Sequence, residues 1–163
     1  MSPFATLLLC SIFVSPTQNV EPGASGQTVV SADPPCSACD EVVRRVLPLL
    51  PKPPVRVVVI DTDHSTKLLR DKLEGVEGFV TTGNPTVYLT KQGSTFTHAL
   101  QGPGIWDYAL AITVWHEMAH LEGASEREAQ VKEETLWLEF VRSGKVEANR
   151  GMAYLGLLRK RSH

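Results

Sequence analysis

The sequence predicts an α+β domain: a short mixed sheet followed by a run of helices. Three observations carry that expectation. Residues 55–60 are a β-branched, largely apolar run; residues 78–82 and 86–90 are two shorter strand-like segments with turn chemistry between them; and everything after Gly104 divides into three consecutive helical patterns. Strands grouped ahead of helices, rather than strictly alternating with them, is α+β order. A length of 163 residues fits one domain.

From the N-terminus, Phe4 to Val14 form an apolar run too short to span a bilayer but of the length found in a secretory signal. We therefore expect a signal peptide over residues 1–20 and export to the periplasm, cell envelope or medium. No basic residue precedes the run. Leu7-Leu8-Leu9-Cys10 resembles a lipoprotein cleavage box only loosely, because Leu9 stands where a small residue belongs. No other segment is long enough to cross a membrane. Residues 21–35 are rich in Gly, Ser and Pro and read as a flexible linker, which leaves 36–163 as the folded domain.

Cys36 and Cys39 form a C-x-x-C pair, expected as a local disulfide at the start of a helix in an exported chain. Two rival readings are weaker. A redox motif should follow a strand and open a helix, whereas residues 31–35 read as a loop; a structural zinc site needs two further ligands at short spacing. The helix over 36–50 turns Val42, Val43, Val46 and Leu47 to one face and is stopped by Pro51, Pro53 and Pro54. The strand over 55–60 follows, apolar enough to be internal. Asp61 and Asp63 could suggest a second metal site, but carboxylates in a turn ahead of a helix (65–73) read better as caps. Gly83-Asn84-Pro85 predicts a hairpin between the strands at 78–82 and 86–90. Residues 91–104 read as a polar loop. The final helices cover 105–122, 126–142 and 146–159, the last with Met152, Leu155 and Leu158 facing the core. Trp106, Trp115 and Trp137 are expected to pack. Arg159-Lys160-Arg161 reads as a solvated helix end, and 16 basic against 18 acidic residues argue against a nucleic-acid partner.

The chemistry concentrates in the helix at 105–122. Apolar residues occupy nearly all its faces, the mark of a buried helix, yet it carries His116, Glu117 and His120. Unsatisfied polar groups in such a place cost about 1–3 kcal/mol each, and charges more. A metal ion satisfies them: His116 and His120 lie one turn apart on one face, close enough for both imidazoles to bind one ion at about 2.0–2.1 Å. Glu117 is turned about 100° away, placed to take a proton from an activated water rather than to bind the ion. A third ligand is required. Gly123 suits a left-handed helix end, Ser125 and Glu128 make a capping box for the next helix, and Glu126 is that helix's first residue, folded back beside His120.

The segment His116-Glu117-Met118-Ala119-His120 resembles the H-E-x-x-H of zincin metallopeptidases. Glu126-Arg127-Glu128-Ala129-Gln130 is similar to the E-x-E-A-D context of the gluzincin third ligand, with Gln130 in place of the aspartate. His116 to Glu126 also follows the metzincin spacing H-E-x-x-H-x-x-G-x-x-H, with glutamate in the last place. Both templates nominate Glu126; Glu128 comes second, and Glu133 and Glu134 are more distant. Met152-Ala153-Tyr154 offers the residues of a metzincin methionine turn, although the helical pattern there is stronger. The resemblance implies a small zincin-like domain with a short mixed sheet, a buried active-site helix and a following helical hairpin. It further implies one zinc ion held by His116, His120 and Glu126, and Glu117 as general base in hydrolysis of a peptide or protein substrate. Substrate would lie along an edge strand, with 86–90 as the candidate, and His98, Tyr154 or Arg150 would steady the oxyanion. The alternative is a non-catalytic zincin-like module that binds zinc or a protein partner.

Overall fold

Residues 28–161 are described by a computed structural model of the chain; the expected signal peptide and the first part of the expected linker lie outside them. The elements, in order, are β1 (Val29–Asp33), α1 (Ser37–Val46), β2 (Arg56–Ile60), α2 (Lys67–Leu73), β3 (Gly78–Thr81), β4 (Asn84–Thr90), α3 (Ser94–Ala99), α4 (Ile105–Leu121), α5 (Glu126–Arg142) and α6 (Ala148–Arg161). The four strands form one mixed sheet in the order β1-β2-β4-β3, with β1, β2 and β4 parallel and β3 antiparallel to β4. The architecture is α+β. No helix among the described residues is long and apolar enough to cross a membrane.

Three expectations about the strands and loops need correction. The linker reading fails over Val29–Asp33, which is a strand. Its Val30 and Ala32 align with Val57 and Val59 in parallel register and pack against the core. Five residues that include Ser31 and Asp33 and run into Pro34 carry little strand signal of their own; the neighbouring strand supplies it. The loop reading of 91–104 fails over Ser94–Ala99, a helix too short to stand alone. Its Thr95 amide donates to the Glu77 carboxylate at 3.0 Å, and Phe96 and Ala99 are fully buried. Finally, β4 is not an edge. It lies between β2 and β3, so the sheet edges are β1 and β3.

The core forms where α1 and α4 cover one face of the sheet. Val57, Val59, Val87 and Leu89 are buried there, and α4 packs against both β3 and β4. Helix α4 buries residues around most of its circumference, from Ala109 to Ala119. Helix α5 packs along α4, and α6 along α5, with the Trp137 indole buried and donating to the Gly151 carbonyl at 2.8 Å. Leu155 and Leu158 face this core as expected. Met152 does not: it is 53% exposed, because Tyr154 takes the inward position against Trp137.

Asp61 closes the carboxyl end of β2. Its carboxylate accepts from Lys91 Nζ at 2.6 Å, Gln92 Nε2 at 2.5 Å and the Asp63 amide at 3.1 Å. It therefore caps the short turn Thr62–His64 and serves as an ion-pair hub, while the helix that follows is capped by Thr66 rather than by either aspartate. Burial alone would raise this carboxyl, but the hydrogen bonds from Lys91, Gln92 and the Asp63 amide, together with the Lys91 charge, outweigh it and hold the pKa at about 2, against an ordinary 3.8. A depressed folded-state pKa contributes stability above the unfolded value that disappears as pH falls through the folded one. We expect about 1–2 kcal/mol from this group at neutral pH, lost between about pH 4 and pH 2. Urea melts across that range should show a shallower acid loss for Asp61→Asn, from a lower starting stability. Parallel acid profiles for the two proteins would refute the assignment.

Candidate metal centre

The site is built by the turn between α4 and α5. Gly123 adopts φ 88°, a conformation glycine takes without strain, and the Gly123 and Ala124 amides donate to the His120 and Ala119 carbonyls as α4 ends. Ser125 then caps α5: its amide and hydroxyl donate to the Glu128 carboxylate at 2.8 and 2.7 Å. This is the capping box read from the sequence. It occupies Glu128, which leaves Glu126 as the carboxylate turned towards α4.

His116, His120 and Glu126 come together. The two imidazole Nε2 atoms are 3.1 Å apart, and the Glu126 carboxylate oxygens lie 3.5 Å from His116 Nε2 and 3.2 Å from His120 Nε2. A tetrahedral ion with bonds of about 2.0–2.1 Å sets its ligands roughly 3.3–3.4 Å apart; the two nitrogens stand near that spacing, and each has a different oxygen of the Glu126 carboxylate within 3.5 Å. The opposite ring nitrogens settle what faces the centre. His120 Nδ1 lies 3.0 Å from the Ala124 carbonyl, which can only accept, so Nδ1 carries the hydrogen. His116 Nδ1 lies 3.1 Å from Glu133 Oε2 and donates to it in the same way. With the Nδ1 hydrogens so placed, both Nε2 atoms turn inward beside a carboxylate, a donor set that suits a cation. This group can hold a metal ion.

Protons compete for the same place. Burial works to lower the His116 pKa, but the hydrogen bond and charge of Glu133, with Glu117 and Glu126 behind, outweigh it and raise the pKa above 6.5. A metal binding here releases protons. Glu117 is 9% exposed, and its carboxyl is pushed up by burial and by Glu126 and Glu133, against the pull of the two histidines. It borders the sheet edge: a Cβ added at Gly78 of β3 would stand 3.2 Å from Glu117 Cγ.

Two supporting residues escaped the sequence reading. Glu133, grouped there among the more distant carboxylates, holds the His116 ring; Gln130, noted only as a departure from the family pattern, donates to Glu126 Oε1 at 2.8 Å. Glu126 and Glu133 are seven residues apart on α5, two turns on one face, and that spacing was the available signal. Glu134 pairs instead with Arg159 at 2.9 Å. We expect Glu133→Gln to lower metal affinity roughly 10–100-fold, the usual effect of losing an outer partner of a ligating histidine. Competition against a chromogenic chelator reads this directly, and unchanged affinity would remove Glu133 from the site.

The oxyanion candidates lie elsewhere. His98 stacks on Trp106 at 4.3 Å between ring centres, Tyr154 packs against Trp106 and Trp137, and Arg150 lines a cleft with Gly104 and Asp107. Trp106 precedes His116 by ten residues on α4, about 15 Å of helix rise. Met152 lies inside α6 and forms no methionine turn. Among the described residues no second group of three His, Cys, Asp or Glu side chains converges in this way, and Asp61 and Asp63 make none. Set against known proteins, the chain matches no family model, no curated protein and no solved structure.

Proposed function

We propose that this chain is a zincin-type zinc metallopeptidase, with one zinc ion held by His116, His120 and Glu126 and with Glu117 as general base. The observation that carries the reading is the convergence of two imidazole Nε2 atoms and a carboxylate within 3.5 Å of one another. Two nitrogens and one carboxylate oxygen are a donor set that suits zinc and leaves a fourth position open. Bound there, zinc supplies a Lewis acid and a nucleophilic water at neutral pH. Glu126 is the most exposed of the three residues that would hold the ion, its side chain 57% accessible, so the centre lies at the protein surface.

The rest of the reading concerns the chain's own residues. Glu117 follows His116 on α4 but projects towards β3, where it takes and returns a proton without binding the ion. Among the described residues strand β3 pairs with β4 alone, so its outer row of amides and carbonyls is placed to add an extended peptide as a further strand. Gly78 brings that edge against Glu117, which supports β3 rather than β4 as the substrate strand. Metal analysis of purified protein and digestion of a peptide library test the proposal together. Absence of stoichiometric metal ends it.

A second reading, a non-catalytic metal-binding module, is favoured by one observation: His98, Tyr154 and Arg150 all lie towards the far end of α4 from the metal centre. Stoichiometric metal with no cleavage of any library peptide would select it.

A further inference from the structure

We propose that Cys36 and Cys39 are a redox-active pair that exchanges with a partner dithiol, Cys36 being the sulfur attacked. The two are joined in a disulfide, and three features set it apart from a plain staple. The first is position. Strand β1 ends at Asp33, Cys36 is the N-cap of α1, and α1 leads to β2, which lies parallel to β1. The pair therefore follows a strand and opens a helix, the context that residues 31–35 hid in the sequence. Cys36 Sγ accepts from the Cys39 amide at 3.2 Å at the positive end of the helix, and both effects favour a thiolate there.

The second feature is asymmetric exposure. Cys36 is half-buried at the surface, whereas Cys39 is fully buried in the core. Cys36, partly exposed though packed against the core, is the more accessible of the two to an incoming thiolate, and Cys39 is the sheltered leaving group. The third is Asp40. Its Oδ1 is the buried side-chain atom that lacks a hydrogen-bond partner among the described residues, one residue beyond Cys39 and one turn beyond Cys36. A buried acceptor without a donor is costly, and this one lies beside the turn that the disulfide closes. As a staple the disulfide does little. It closes a loop within the first turn of α1, where the Asp40 amide already donates to the Cys36 carbonyl at 3.0 Å, and the stabilisation from a cross-link shrinks with loop length.

Exchange takes two displacements. A thiolate of the partner attacks Cys36 Sγ, the Cys36–Cys39 bond breaks, and Cys39 leaves with the electron pair and takes up a proton. A mixed disulfide now joins Cys36 to the partner. The partner's second thiolate attacks its own linked sulfur, closes the partner's disulfide and releases Cys36 as thiolate. Two electrons pass to the pair, and the dithiol's protons pass to Cys39 and to water. The pair lies by β1, at the sheet edge opposite β3, so its chemistry is independent of the metal centre.

The test equilibrates the folded full chain in glutathione buffers of graded ratio, quenches with acid, alkylates, and maps the peptides so that Cys36 and Cys39 are read apart from Cys10. The expected result is a two-electron transition in which both cysteines become alkylated while circular dichroism stays native. In Cys39→Ala, glutathione should accumulate on Cys36; in Cys36→Ala it should not accumulate on Cys39. A pair that remains oxidised until denaturant unfolds the chain overturns the proposal, as does equal adduct formation at the two positions. The wild-type titration decides the matter even if a cysteine variant fails to fold.

Discussion

Glu117→Gln should abolish most peptide hydrolysis while leaving metal content unchanged. Glutamine matches glutamate in size, so at a position 9% exposed it opens no cavity and strains no neighbour. It cannot accept the proton that a general base must take, and such a base contributes about 10²–10⁴-fold to rate. The metal should stay because His116, His120 and Glu126 are untouched, and because the hydrogen bonds that orient them run to Glu133, Ala124 and Gln130, not to Glu117. The expected signature is a kcat/KM lower by about 10²–10⁴-fold on a library-derived peptide, with one equivalent of metal retained. A variant that hydrolyses as fast as wild type would eliminate the general-base role; one that loses metal would place Glu117 among the ligands.

What the sequence disclosed and what it concealed divide along a physical line. The H-E-x-x-H helix, its glycine end, the capping box and Glu126 are all encoded within about a dozen consecutive residues, and local spacing places each of them. The seven-residue spacing puts Glu133 on the same face of α5 as Glu126, but its contact with His116 depends on how α5 crosses α4, which the spacing does not specify. Strands show the same division. The run at 55–60 declares itself by composition, but β1 exists because β2 lies beside it, and α3 because Glu77 and the core hold it. Strand order is the least local property of all. The hairpin of β3 and β4 was legible from Gly83, although Asn84 and Pro85, expected in the turn, open β4 instead; which partner lies outermost depends on β4 also pairing with β2, a residue-by-residue match between Arg56–Ile60 and Thr86–Thr90. That single fact moves the proposed substrate strand from β4 to β3. Met152 went the other way for a similar reason, displaced from the core by a tyrosine that fits against Trp137.

His120→Ala should cost the chain its metal and, with it, a metal-dependent part of its stability. The two histidines belong to α4 and Glu126 to α5, so an ion at this centre ties the two helices at the closed end of their hairpin. Removing His120 leaves two protein ligands. The loss of affinity should therefore exceed the roughly 10–100-fold expected for Glu133→Gln, which only loosens the hold on a ligand. Binding to the folded state alone stabilises it by about 2.7 kcal/mol when free metal stands at 100 times the dissociation constant. Wild-type protein should thus melt at a lower temperature after chelation and recover when metal is restored, whereas His120→Ala should melt at one temperature with or without metal. His120 is a partly exposed residue near the helix end, its side chain 24% accessible, so the substitution opens no sealed cavity, and its melting point should lie near that of the chelated wild type. That comparison separates the ion's contribution from the side chain's. A wild-type melting point indifferent to chelation would mean that nothing bridges α4 and α5, and the zinc-peptidase reading would fall with it. The Cys36–Cys39 pair, at the opposite sheet edge, should titrate as before in either case.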